Sequence, residues 1–213
     1  MAVSFQVEYK PTPVLDRLMR SLSREKFLEL EMAGAEQAAK NTQVYLSGLA
    51  GSRHASANKL GAAPTEVIGR AAGGTKAEQR GDGAVVVVPH PLFRRAFGAV
   101  TIAPRTARAL AIPMHRDAYG RGPRTMSGLF VWKRNRKAEG PDDKGAAFLA
   151  RSVGKGKNAR LELMYLLHRG RILQRQDRTL LPSDEDTAAA AMKGLSARLN
   201  TILRAVAAQK GAS

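Results

Sequence analysis

A chain of 213 residues with 44% hydrophobic and 25% charged content can bury one good core, and with no cysteine and four scattered histidines it excludes disulfide scaffolds, thiolate sites and a structural zinc. No apolar run approaches the ~20 residues that span a bilayer, and MAVSFQVEYK lacks the marks of a signal or transit peptide, so synthesis in the cytoplasm with no membrane contact is expected. The formal net charge of +17 is concentrated, since residues 90–178 hold 20 Lys+Arg against 6 Asp+Glu and the remainder 15 against 12, which points to a polyanionic partner.

Residues 1–22 read as an arm: the alternating segment SFQVEY, then Lys10-Pro11-Thr12-Pro13 and a brief amphipathic turn. A long helix follows. Ser23 is a fair N-cap, and Leu28, Met32, Ala35, Ala39, Thr42, Leu46 and Leu49 recur at alternating steps of four and three, which puts them on one face. The helix is expected to stop near Gly48 to Gly51, where glycine allows a left-handed cap. Residues 50–83 are rich in Gly, Ala, Ser, Thr and Lys, with little large and apolar beyond Leu60, Val67 and Ile68, and read as a long flexible loop.

From Ala84 the pattern turns to strands. VVVV (85–88), AVTIA (99–103), ALAIPM (109–114), LFVWK (129–133) and AFLARSV (147–153) are β-prone runs separated by Gly, Pro or basic turns, while LELMYLL (161–167) fits strand or helix. A second helix closes the chain. Ser183 stands before Asp184, Glu185 and Asp186, acids suited to the positive end of a helix dipole, and Ala188, Ala191, Met192, Leu195, Leu199, Ile202, Leu203 and Val206 form an apolar face. The expected fold class is α+β: an antiparallel or mixed sheet packed by the long N-terminal helix and the C-terminal helix. One domain over 23–208 is expected, with a flexible tail at 209–213.

His115-Arg116-Asp117 has the order of a kinase catalytic loop, but Gly122 stands where a metal-binding Asn belongs, and no Asp-Phe-Gly follows. The run from Gly69 to Lys76 has the glycine spacing of a phosphate loop, yet ends Thr75-Lys76 where the chemistry needs Lys then Ser/Thr, and reads as a linker. Gly154-Lys155-Gly156-Lys157 reads as a basic hairpin tip. His54, His90, His115 and His168 lack helical i, i+4 partners. No Gly-x-Ser-x-Gly occurs, and the middle of the chain holds only Asp117, Glu139, Asp142, Asp143, Glu162 and Asp177 as acids. No enzymatic activity, cofactor or metal is therefore expected. Nucleic-acid binding lacks a reading head too, because Phe130, Trp132 and Tyr165 lie in apolar patterns that suggest core.

Three stretches carry a family resemblance: NKLGAAPTEVIGRAA (58–72), VVVVPHPLFRRAFGAVTIAPRTARALAIPMHRDAYGRGPR (85–124), and LFVWK followed by MYLLHRGRILQRQDRTLLPSDED (164–186). The most specific parts are Gly98-x-x-x-Ile102-x-Pro104, Ala109-Leu110-Ala111-Ile112-Pro113 and Ala118-Tyr119-Gly120. Over roughly residues 55–190 the chain resembles the tail-completion and virion-morphogenesis proteins of tailed bacteriophages. The resemblance implies a structural virion component at the neck or upper tail, with no catalytic residues to carry over.

Pro113 is expected to end its strand, having no N–H to give the ladder, so that residues 114–124 emerge as a loop. Arg116, Arg121 and Arg124 beside Tyr119 suit a docking element, and Asp117 is expected to pair with a nearby arginine. Arg94, Arg95, Arg105 and Arg108 complete the expected interface. The expectation is a homo-oligomeric ring at a phage head–tail junction, located in the virion. Its partners would be neighbouring neck or tail proteins, with non-specific contact to packaged DNA left open. The alternatives are a non-specific basic nucleic-acid-binding protein and an enzyme with an unrecognised site.

Overall fold

The structure is a computed structural model that describes residues 3–5, 23–52, 55–63, 65–105, 107–133, 147–154, 156 and 159–210. In chain order the elements are β1 (Val3–Phe5), α1 (Arg24–Ser52), α2 (Ala55–Leu60), α3 (Val67–Gly74), β2 (Lys76–Arg80), β3 (Gly83–Val88), β4 (Val100–Ile102), β5 (Leu110–Pro113), β6 (Leu129–Lys133), β7 (Ala147–Val153), β8 (Arg160–His168), β9 (Ile172–Gln174) and α4 (Asp184–Lys210). Single 3-10 turns lie at Pro91–Ala96, Arg116–Ala118, Pro123–Thr125 and Arg178–Leu180. The fold is α+β, with a long helix near each end and antiparallel sheets between. Three sheets form where one was expected, in the orders β1-β3-β2, β4-β9 and β5-β8-β7-β6.

The sequence reads as one domain, but the chain divides into two compact units. Unit 1 comprises Met1–Ser52, Glu66–Gly98 and Gln176–Ser213; unit 2 comprises Arg53–Thr65 and Ala99–Arg175. Each unit has its own core, because the two long helices bury their apolar faces with β2 and β3 while the four-stranded sheet packs on residues of its own connections.

In unit 1, small residues bring α1 and α4 together. The buried face of α1 is Leu30, Gly34, Ala35, Ala38, Ala39, Thr42 and Leu46, so the expected stripe holds at 35, 39, 42 and 46, whereas Leu28, Met32 and Leu49 are only half-buried. A Cβ on Gly194 of α4 would lie 2.3 Å from the carbonyl oxygen of Ala33 and 2.7 Å from Gln37 Cβ, and one on Gly34 would lie 3.2 Å from the carbonyl oxygen of Ala191. The helices therefore cross backbone against backbone, a separation only glycine allows. They run antiparallel, since Glu29 pairs with Arg198 while Gln37 lies near Gly194. Val86 of β3 closes this layer against Ala38, Ala39 and Ala191. Further along α1, Leu46 joins Ala71, Ala72, Val88, Phe93, Leu180 and Leu181.

Ser183 caps α4 as expected, its Oγ accepting from Asp186 N at 3.0 Å. On the α4 stripe Ala191 and Leu195 are buried, but Leu203 is exposed. The Val206 side chain, Lys10–Pro13 and the amphipathic turn of the expected arm, His54, residues 139–143, Lys155, Lys157 and residues 211–213 of the expected tail lie outside the described residues. Gln209 and Lys210 still belong to α4.

The flexible loop expected at 50–83 is a misreading. It contains the end of α1, then α2, α3 and β2, and the strand pairs residue by residue with β3 from Lys76↔Val87 to Arg80↔Gly83. Its small residues serve close packing: Ala71, Ala72 and Thr75 are buried, and a Cβ on Gly74 would stand 2.6 Å from Pro89 Cγ. Composition alone makes such a segment look like a linker because small side chains mark both chain freedom and lack of space.

In unit 2, LELMYLL is strand: β8 lies between β5 and β7. The register slips between Leu149 and Ala150, passing from Leu149↔Tyr165 to Ala150↔Leu163, so Met164 is the extra residue of a bulge. Met164 and Tyr165 form the core with Ala118, supported by Ala111, Met126, Leu129 and Leu149. Trp132 and Phe148, opposite each other on β6 and β7, stack at 5.7 Å between ring centroids.

Candidate functional site

The charge divides with the fold. Unit 2 holds 19 Lys+Arg against 5 Asp+Glu, and unit 1 holds 16 against 13. The candidate site is the connection between β5 and β6, which carries Arg116, Tyr119, Arg121 and Arg124.

Pro113 is the last residue of β5, an edge strand, where a missing N–H costs the sheet nothing. One more bond follows, Met114 N donating to Met164 O at 2.9 Å, and the chain then leaves the sheet. His115 caps the next turn, its Nδ1 accepting from Asp117 N at 3.2 Å. That turn drives Ala118 into the core, fully buried. Gly120 follows with φ +73°, and a Cβ there would come within 2.9 Å of Thr65 Cγ2, so both conformation and space demand glycine.

Two bonds tie this connection to the sheet. The hydroxyl of Tyr165, a residue 1% exposed, donates to Arg121 O at 3.0 Å, and burial pushes its pKa up, keeping it a donor. The second is ionic. Arg151 and Glu162 face each other across β7 and β8, with Arg151 Nη2 2.9 Å from Glu162 Oε2, and the same nitrogen lies 3.2 Å from Asp117 Oδ2. Arg160 reaches Glu162 Oε1 at 3.5 Å and Arg116 Nε reaches Asp117 Oδ1 at 3.6 Å. The hydrogen bond from Arg151 leads the causes that hold the Glu162 carboxyl below the usual carboxylate range. Asp117 thus pairs with arginine, as expected. Its carboxylate ties the connection to β7 through Arg151.

The backbone is anchored while the cations face out. Arg116, Arg121 and Arg124 are exposed and Tyr119 is half-buried. Met114, at the start of the connection, and Phe130, on β6 at the other edge of the sheet, are 45% and 43% exposed.

The other expected interface residues lie on other parts of the chain. Arg94 and Arg95 belong to unit 1, on the turn Pro91–Ala96 that His90 caps by accepting from Leu92 N. Arg105 and Arg108 lie before β5, at the opposite end of that strand from the candidate connection. Arg151, which secures the site, was not read from the sequence. Its signal is the register that sets it opposite Glu162, and register is not written in a single strand.

Unit 1 also contains a groove of about 650 Å³ bordered by Tyr45, Phe97, Arg178, Asp184 and Asp186. Several of its polar groups serve local structure: Tyr45 donates to Thr179 O at 2.9 Å, and Asp186 and Ser183 cap α4. Among the described residues no group of three or more His, Asp or Glu is placed to hold a metal ion, and no helix is long and apolar enough to cross a membrane. No family model, curated protein or solved structure matches this chain.

Proposed function

We propose that the protein is a structural component of a tailed-phage virion, acting in tail completion or head–tail joining as one subunit of an oligomeric ring. The connection at 114–128 is its docking element toward an acidic neighbouring protein. The observation that supports docking is the arrangement just described, a backbone tethered at Arg121 O and at Asp117, with three arginines and Met114 exposed on the same connection as Tyr119. Pre-ordered arginines and an aromatic beside exposed apolar side chains are the composition of a protein interface, and an anchored backbone lowers the entropy lost on binding. The assignment to phage necks rests on the sequence resemblance around Ile102, Pro104, Pro113 and Tyr119. Location in the virion follows from the same reading.

Reversing Arg116, Arg121 and Arg124 together to Glu is expected to leave the fold intact, because exposed positions away from caps and core each change stability by only about 0.5 kcal/mol. Assembly is expected to fail. Native mass measurement should find a ring for the wild type and a soluble monomer for the variant, with like charges now facing the partner. A variant that assembles and joins heads to tails normally overturns the docking role.

A further inference from the structure

Arg105 and Arg108 acquire new neighbours through sheet register. β4 and β9 pair from Val100↔Gln174 to Ile102↔Ile172, and β5 and β8 pair from Leu110↔His168 to Pro113↔Tyr165. The same two chain segments therefore form both ladders. Between the ladders lie residues 103–105 and 107–109 on one segment and residues 169–171 on the other. Arg105, Arg108, Arg169 and Arg171 all fall in this break, and all four are exposed.

Residues 99–116 and 163–176 contain no Asp or Glu, and the ion pairs described in unit 2 run through Arg116, Arg151 and Arg160 instead. The residues between the arginines are small, Thr106, Ala107 and Gly170, with Pro104, Ala109, His168 and Ile172 flanking them, and the exposed apolar side chains of Ile102 and Leu173 lie outside the break on β4 and β9. The break itself thus differs from the docking connection, which carries Met114 and Tyr119. A protein partner needs an apolar or aromatic anchor at the centre of its contact. A phosphate backbone needs none, because it presents one negative charge per ~1.7 Å of duplex and rewards guanidinium groups directly.

We propose that the break between the β4–β9 and β5–β8 ladders is a phosphate-backbone site that takes duplex nucleic acid without reading its sequence. This site stands beside the docking role of 114–128 and does not depend on it. Each arginine neutralises a phosphate and releases counterions, so binding falls steeply with salt. The small residues let the backbone lie close, and the break lies between β4 and β5 and between β8 and β9, not on a helix or ribbon that enters the major groove.

The test uses the full chain and a fluorescent random-sequence 30-base-pair duplex, with affinity measured by anisotropy over a range of salt. The first variant replaces Arg105, Arg108, Arg169 and Arg171 with Ala; a charge-matched second replaces Arg116, Arg121, Arg124 and Lys133 with Ala. Circular dichroism and thermal melting select folded protein, and Arg171→Ala alone serves if the quadruple variant unfolds. The slope of log affinity against log salt is expected to shrink by about 3.6 for the first variant and by about 0.9 for Arg171→Ala, at ~0.9 per phosphate contact. The second variant is expected to keep a slope within about one of the wild type. Equal losses in both quadruple variants, or an unchanged slope in the first, overturn the site and leave only a diffuse field. Poly-glutamate binding as tightly as the duplex at the same salt overturns it in favour of an acidic protein partner. The docking role fails separately, through oligomeric mass in the charge-reversed connection, which the Ala variants of the break are expected to leave unchanged.

Discussion

Asp117 follows a histidine and an arginine in sequence, an order that suggests a base; in space its carboxylate lies 3.2 Å from Arg151 Nη2, which also holds Glu162. What a carboxylate does depends on the donors that surround it, and here the donors come from the strand β7. The pH dependence follows from Glu162. Its folded pKa lies below the unfolded value of about 4.3, chiefly through the Arg151 hydrogen bond. Between those two values the unfolded chain binds more protons than the folded one, so stability rises with pH. The contribution is therefore complete above the unfolded value and lost as pH falls through the folded one. Denaturant melts from pH 6 to pH 3 are expected to show wild-type stability dropping more steeply at the acidic end than that of Glu162→Gln, which lacks this titration. Parallel curves would mean that the pair does not secure the connection.

At the scale of elements, the helix pair depends on what it omits. Gly194 is mid-helix, where replacing glycine by alanine ordinarily stabilises by about 1 kcal/mol. Here the added Cβ would lie 2.3 Å from the Ala33 carbonyl oxygen, and backbone cannot swing aside as a side chain does. Gly194→Ala is expected to destabilise by about 1–3 kcal/mol, as overpacking does. Gly48→Ala in α1 meets nothing within 4 Å and is expected to stabilise by up to about 1 kcal/mol. Opposite signs in chemical denaturation check the crossing; stabilisation by both substitutions would place α1 and α4 apart. The strands at 85–88, 129–133 and 147–153 were legible because β-branched and aromatic residues cluster there between turn signals. β2 (KAEQR) was not, since it has no apolar alternation and is held by its ladder to β3.

At the scale of the molecule, unit 1 is assembled from three separate stretches of chain, and α4 supplies half of its helix pair. A helix of 29 residues presenting Gly34, Ala38 and Thr42 toward a missing partner has little to bury, and helices depend on tertiary packing for most of their stability. Ending the chain at residue 175 is therefore expected to remove more than the 27 residues of α4 from the helical signal. Circular dichroism should show α1 lost as well; helicity reduced only by α4 would mean that α1 is stable without its partner.

Local chemistry by itself determined the two long helices and their starts near 24 and 184, the cap at Ser183, most strands, the end of β5 at Pro113, and the concentration of charge, for each follows from side-chain size, polarity and backbone freedom within a few residues. Only the tertiary structure decided the rest. Small residues at 71–75 signal either a free chain or a crowded one, and Pro89 and Leu46 of distant segments decide that it is crowded. Strand pairing brings the segment that carries Arg105 and Arg108 to the one that carries Arg169 and Arg171, while Arg94 and Arg95 fall in another unit, because pairing sums contacts between residues that no local pattern connects.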